Sequence, residues 1–202
     1  MALTESKMLP LGSRMPEFSL PNIDGKMVRQ SDFASRPLLV MFLCNHCPYV
    51  KHVLPELVRL GDDYAASSLA MVAIQSNDVE NYPEDSPENM KRIARQHGFH
   101  FPYLYDQTQE VAVRFSAACT PDFFLFDANH KLVYRGRLDE TRPNRVASGV
   151  YNSDGVAPHG RDLRAAIEAV LAGKMPAESQ YPSLGCNIKW KPGGGPSTFR
   201  IG

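Results

Sequence analysis

Residues 38–43, Leu-Leu-Val-Met-Phe-Leu, are apolar without a break, and Cys44-Asn45-His46-Cys47-Pro48 follows at once. A strand carries such a run when both its faces are buried, which calls for helices on both sides of a sheet. Beyond the cysteines, Val50, Val53, Leu54, Leu57 and Val58 recur at the spacing of a helix with one buried stripe. Pro48 suits the first turn of that helix, and Pro55 is expected to kink it. Residues 69–74 supply a second buried strand, so the unit is strand, helix, strand with a right-handed crossover. The fold class is α/β, a central sheet flanked by helices.

Other elements follow from local signals. Residues 18–28 read as an N-terminal β-hairpin turning at Asp24-Gly25, at one end of the sheet. Ser86-Pro87 opens a helix over residues 88–97 that Gly98 closes. Residues 101–105 suggest a short strand, and Asp106 with Gln109 resembles a capping box for a helix reaching Phe115. Residues 123–126 and 132–135 flank the turn formers Asp127-Ala128-Asn129-His130 as a hairpin. Leu163, Ala166, Ile167, Val170 and Leu171, stopped by Gly173, form the last amphipathic helix. A long polar insertion, residues 136–160, and a Pro- and Gly-rich C-terminal extension stand outside this pattern. We expect one domain over residues 1–202, with a core at about 15–173 and an irregular tail at 174–202.

Lys and Arg number 22, as do Asp and Glu, so no overall charge draws the chain to nucleic acid or to an anionic membrane. No apolar run approaches the roughly 20 residues needed to cross a bilayer, and residues 1–15 lack the core of a secretory signal. A soluble, cytoplasmic chain is the expectation. Four cysteines in a chain of this size do not make a disulfide framework, so Cys44 and Cys47 point to redox work or to metal. Zinc usually takes four protein ligands and no second pair of suitable spacing occurs, so no metal is expected. No organic cofactor is needed either.

A dithiol at a strand end and helix start gains from unpaired N–H groups and the positive end of the helix dipole, which stabilise a thiolate. Cys44 is expected to be the exposed, more acidic nucleophile and Cys47 the thiol that resolves its mixed disulfide. A protonated His46 would favour the Cys44 thiolate, stabilise the reduced pair and raise its potential above about −270 mV. Asn45 suits the turn.

The strand ending in C-x-x-C, the helix, the further α/β elements and Thr120-Pro121 before residues 122–127 resemble the thioredoxin superfamily over about residues 15–173. The resemblance implies a thioredoxin-like fold with a central mixed sheet, a cis Pro121 packed against the dithiol, and a Thr120 whose backbone pairs with an extended substrate. The segment Met15-Pro16-Glu17-Phe18-Ser19-Leu20 through Asp24-Gly25 to Ser31-Asp32-Phe33, with Cys47-Pro48, is more specifically similar to the AhpC/TSA (thiol-specific antioxidant, peroxiredoxin-like) branch. In that branch the peroxide-reacting cysteine would match Cys47. Cys44 and Pro121, however, stand where its Thr or Ser and its Arg would be. The tail Tyr181-Pro182-Ser183-Leu184-Gly185-Cys186-Asn187-Ile188-Lys189-Trp190 is similar to that of a peroxiredoxin-like group carrying a thioredoxin-type cysteine pair.

The resemblance thus implies a thiol-disulfide oxidoreductase working through Cys44 and Cys47, supported by Asn45, His46, Pro48, Thr120 and Pro121. Its partners would be a protein or low-molecular-weight thiol or disulfide, and an external reductant such as a thioredoxin or glutathione system. The alternatives are a thiol peroxidase with Cys47 peroxidatic, and a non-enzymatic redox-sensing module. Cys119 and Cys186 are possible auxiliary thiols, Cys186 as a resolving cysteine that folds back onto the site. Residues 38–43 carry no carboxylate, so the general base is unassigned. Arg137, Arg142, Arg145 and His159 would select an anionic partner if the insertion covered Cys44.

Overall fold

The computed structural model describes residues 3–147, 149–152 and 155–196; the end of the tail, residues 197–202, lies outside them. In chain order the strands and helices are β1 (Leu3–Glu5), β2 (Ser19–Pro21), β3 (Met27–Arg29), β4 (Leu38–Phe42), α1 (Pro48–Asp63), β5 (Ala70–Gln75), α2 (Pro87–His97), β6 (Tyr103–Tyr105), α3 (Glu110–Arg114), β7 (Cys119–Thr120), β8 (Asp122–Phe126), β9 (Leu132–Gly136), β10 (Asn144–Ala147), β11 (Val150–Asn152), α4 (Arg161–Leu171) and β12 (Leu184–Asn187).

The central sheet runs β6-β5-β4-β8-β9. It is mixed: β4, β5 and β6 are parallel, while β8 is antiparallel to both β4 and β9. The period-2 alternation of a strand splits each apolar run between two faces. Leu39, Met41, Phe123 and Leu125 face one cluster with Val50, Val53 and Leu57 of α1, Met90 of α2 and Leu163 and Ile167 of α4. Leu38, Val40, Phe42, Phe124 and Phe126 face the other, with Val111 and Ala112 of α3 and the buried Phe115. There the Phe115 ring meets Phe42, Phe124 and Phe126 edge-on at 5.4–6.0 Å, an arrangement that suits the ring quadrupoles. Both faces of β4 are filled, as its unbroken apolar run requires.

The β2–β3 hairpin sits at the β6 end of this sheet through an Asn22–Leu104 bridge. Helix α2 has the anticipated ends: Ser86 Oγ accepts from the Asn89 N–H, and Gly98 takes φ +67°. The capping expectation at α3 needs correction. The helix begins only at Glu110, after a left-handed Gln109, and Asp106 instead accepts the N–H groups of Val111 and Ala112. Gln109 turns away to donate to the Ser76 and Lys189 carbonyls.

Two segments without a periodic signature contain strands among their described residues. The insertion folds β10 against β11 as a small antiparallel ribbon. The tail contributes β12, which lies between β1 and β7 in a second, three-stranded sheet. Its register places Cys186 opposite Leu3 on one side and Thr120 on the other. A Cβ on Gly185 would lie 2.0 Å from the Thr120 carbonyl oxygen, so only glycine permits this approach. Among the described residues no helix is long and apolar enough to cross a membrane.

Candidate functional site

Strand β4 ends at Phe42, α1 begins at Pro48, and the corner between them holds the four residues from Cys44 to Cys47. Cys47 is the N-cap of α1 and makes no side-chain cap bond, with Pro48 at the first helical position. All four cysteines of the chain are free and buried. Cys44 is 2 % exposed and Cys47 fully buried, which corrects the expectation of an exposed Cys44. Cys44 Sγ lies 3.2 Å from Thr120 Oγ1, and Cys47 Sγ lies 3.4 Å from the Thr120 carbonyl oxygen. The Thr120–Pro121 peptide is cis.

The acidities of the two thiols run opposite to expectation. Burial pushes the Cys44 thiol well up, reinforced by its hydrogen bond to Cys47, the Cys47 charge and the Asp85 carboxylate. Burial also opposes ionisation of Cys47, but hydrogen bonds from the Cys186 and Cys44 thiols and from the Val50 and Cys186 N–H groups outweigh it. The Cys47 thiol is therefore held well below its ordinary value, and Cys47 is the more acidic of the two thiols. Donors at a helix start stabilise an anion there, and they converge on the second sulfur because that one caps the helix.

His46 does not act on Cys44 as a bare cation. Its Nδ1 lies 2.7 Å from Oδ2 of the fully buried Asp85. That carboxylate also accepts the Asn45 N–H at 2.7 Å, the His46 N–H at 3.3 Å and Asn77 Nδ2 at 2.8 Å. The imidazole stacks on Tyr82, ring centroids 5.6 Å apart, and Tyr103 donates its hydroxyl to Asn45 Oδ1. The corner is thus fixed from beneath by a carboxylate whose effect on Cys44 opposes the one expected of His46. Cys44, His46 and Asp85 also present ligand atoms within 4.8 Å of one another. They are three of the four donors that a structural zinc takes, and both Asp85 oxygens are already engaged.

Thr120 is not open to an extended substrate along its backbone. The protein's own β12 pairs with β7 there, Cys186 against Thr120 and Asn187 against Cys119. This pairing brings Cys186 Sγ to 2.8 Å from Cys47 Sγ. Cys119 is fully buried, its sulfur directed at the Pro121 carbonyl at 3.7 Å. Of the two auxiliary thiols, only Cys186 reaches the pair.

Cys44 opens onto a cavity of about 200 Å³ between α1 and α2, walled by Val50, Leu54, Ile93, Phe99 and Tyr103, with Lys51 and His97 at hand. Among the described residues, none of the insertion lines it. The insertion lies instead along the outer side of α1, where Tyr151 meets Tyr49 edge-on at 5.7 Å and Thr141 meets His52. Arg137 is paired with Asp162 at 2.7 Å, and His159 faces Asp139. These cations do not surround Cys44.

Sequence reasoning missed Asp85, Asn77 and Asp122. Asp85 lies in a turn 39 residues from the His46 it binds, a distance no local motif bridges. Asp122 follows the cis proline, opposite Phe42 of β4, and is fully buried. Ser183 and the Ala118 and Phe123 N–H groups favour its charge, yet neither oxygen completes a hydrogen bond, and burial pushes its pKa well up. A carboxyl sought on β4 thus stands on the neighbouring strand.

The family description AhpC/TSA matches residues 11–135. The thiol-disulfide oxidoreductase ResA of Bacillus thuringiensis is 19 % identical over 139 residues, 69 % of this chain and 76 % of that protein. Peroxiredoxin Bcp of Escherichia coli is 28 % identical over 132 residues, 62 % of this chain and 78 % of that protein. The crystal structure of an uncharacterized conserved protein from Geobacillus kaustophilus is 52 % identical, covers 95 % of this chain and 98 % of its own, and superposes with a TM-score of 0.88. The sheet order, the flanking helices and these likenesses make the fold thioredoxin-like, and the chain belongs to the AhpC/TSA family.

Proposed function

We propose that the protein is a thiol-disulfide oxidoreductase whose working pair is Cys44 and Cys47. One observation carries this reading: Cys44 borders a cavity, while Cys47, the more acidic thiol, is sealed. When the pair is a disulfide, a partner thiolate attacks Cys44 Sγ, the partner–Cys44 bond forms, the Cys44–Cys47 bond breaks, and Cys47 departs as a thiolate. A low-pKa thiol leaves fastest, so the geometry favours oxidation of partners. A second partner thiol then releases Cys44. In the reverse direction Cys44 attacks a partner disulfide and Cys47 resolves it.

Asn45 and His46 hold the corner on Asp85, Pro48 starts the helix that stabilises Cys47, and Thr120, before the cis Pro121, touches both sulfurs. The partners are small or protein thiols and disulfides, recycled by an external thiol system. Four free thiols suit a reducing cytoplasm. Equilibration with glutathione should give a potential above about −270 mV, and a lower value would remove the proposed role of the Cys47 thiolate.

A second reading, peroxide reduction with Cys47 peroxidatic, draws on the same thiolate and on the likeness to a peroxiredoxin. Rapid H2O2 turnover that is lost in Cys47→Ser would favour it. Slow turnover with fast dithiol exchange supports the oxidoreductase, and neither activity would favour a redox-sensing module.

A further inference from the structure

Cys47 has a sulfur neighbour on each side. Cys44 shares the corner with it, and Cys186 reaches it from the tail at 2.8 Å. A disulfide bond is about 2.05 Å long, so Cys47 and Cys186 are unbonded thiols that need little movement to join. Their approach is built by the fold. Strand β12 is held on one side by β1 and on the other by β7, with Cys186 in register between Leu3 and Thr120. Gly185 lets the tail press against the Thr120 carbonyl where any side chain would collide. Further along, the Lys189 N–H donates to Asn77 Oδ1 and its carbonyl accepts the Asp78 N–H, both at 2.8 Å. Asn77 is itself bound to the Asp85 that holds the cysteine corner.

We infer that Cys186 is a third redox thiol, which exchanges with Cys44 for the disulfide to Cys47 once the pair is oxidised. This inference rests on the reading of Cys44 and Cys47 as a working dithiol. Cys186, as thiolate, attacks Cys47 Sγ of the Cys44–Cys47 disulfide. The Cys47–Cys186 bond forms, the Cys44–Cys47 bond breaks, and Cys44 leaves with the electron pair and takes up the proton that Cys186 released. One disulfide is present before and after, so no further oxidant or reductant is consumed. In the reduced protein Cys186 Sγ is hydrogen-bonded to Cys47 Sγ at 2.8 Å, and this contact pushes the Cys186 thiol up. Once Cys47 is in a disulfide that hydrogen bond is lost, and burial alone then holds the Cys186 thiol up while Lys189 draws it down.

The transfer changes what the site presents. The disulfide moves inward, away from the cavity, and Cys44 returns to the cavity as a thiol. The new bond ties the tail to the start of α1 across a sequence separation of 139. A partner reaches the inner disulfide only after Cys44 has attacked Cys47 and brought the bond back to the outer pair. Cys186 thereby acts as an internal partner that stores one oxidising equivalent out of reach.

The test uses the full-length reduced protein, one equivalent of diamide, and quenching at intervals in acid with N-ethylmaleimide before disulfide mapping by peptide mass. The expected result is a Cys44–Cys47 bond that forms first and then gives way to Cys47–Cys186. Cys44 should regain alkylation in step, until at least a tenth of the oxidised chains carry the inner bond. A persistent Cys44–Cys47 bond with Cys186 fully alkylated would overturn the inference and leave the dithiol reading intact. If neither bond forms, the dithiol reading itself fails, and the inference with it. Cys44→Ser gives a second measurement: diamide should join Cys47 to Cys186 directly, and a variant that stays reduced counts against the relay.

Discussion

Cys44 and Cys47 stand three residues apart in one corner, yet their surroundings differ in nearly every respect that governs thiol chemistry. Cys44 borders an apolar cavity, faces the Asp85 carboxylate and has its pKa pushed up. Cys47 has no opening, receives hydrogen bonds from two thiols and two backbone N–H groups, and has its pKa drawn down. One sulfur is positioned to be touched and the other to carry charge. Accessibility and acidity, usually assigned to the same cysteine, are separated because the helix start lies beneath the second sulfur while the tail closes over it. The β7–β12 pairing is what enforces this division.

The difference is broken most completely by removing either sulfur. Cys47→Ser deletes the leaving group, and turnover of a dithiol substrate should fall to the uncatalysed level while the variant still forms a mixed disulfide on Cys44. Next in size is the closure of the tail. Gly185→Ala sets a methyl group against the Thr120 carbonyl, and overpacking of this kind typically costs about 1–3 kcal/mol. Urea unfolding should report that loss, and disulfide mapping should show less of the Cys47–Cys186 bond with Cys44–Cys47 retained. A variant as stable as the wild type would mean that β12 is not tightly seated.

Asp122, in the strand after the cis proline, tests the packing behind the site. Its folded pKa is raised by burial, whereas an unfolded carboxyl titrates near 3.9. Above that pH the unfolded chain gives up the proton while the folded chain keeps it. Stability from this group is therefore full below about pH 4 and is lost as pH rises towards the folded pKa. Asp122→Asn should remove that loss, making the variant more stable than the wild type at pH 8 and narrowing the difference at pH 5. Denaturant midpoints at pH 5 and pH 8 decide it, and a variant less stable at pH 8 would show that the charge is needed.

The smallest effect is expected at His46. Without the imidazole the Asp85 carboxylate bears more fully on Cys44, which disfavours the small share of thiolate charge that Cys44 carries in the reduced pair. His46→Ala should lower the potential by up to about 30 mV, equivalent to about 1.4 kcal/mol. A rise in potential would reverse the role given to the His46–Asp85 pair.

The elements legible in the sequence are those that carry their own periodicity. Residues 38–43 have to be buried on both faces and Pro48 suits a first helical turn, so the cysteine corner between them is legible in the sequence itself. Expectation failed where long-range contacts decide the outcome. β12 is short, contains a glycine and has no alternation of its own; its order comes from β1 and β7, which are remote in sequence. Asp85 was invisible for the same reason, since a turn residue reveals nothing about which backbone its carboxylate will bind. The acidity of the two thiols was misjudged because His46 was weighed without that carboxylate.

The most direct test of the division between the two sulfurs is to expose reduced Cys44→Ser and Cys47→Ser variants to oxidised glutathione and identify the modified residue by peptide mass. The account predicts rapid glutathionylation of Cys44 in Cys47→Ser and little or none on Cys47 in Cys44→Ser. Ready modification of Cys47 with Cys44 left untouched would contradict it.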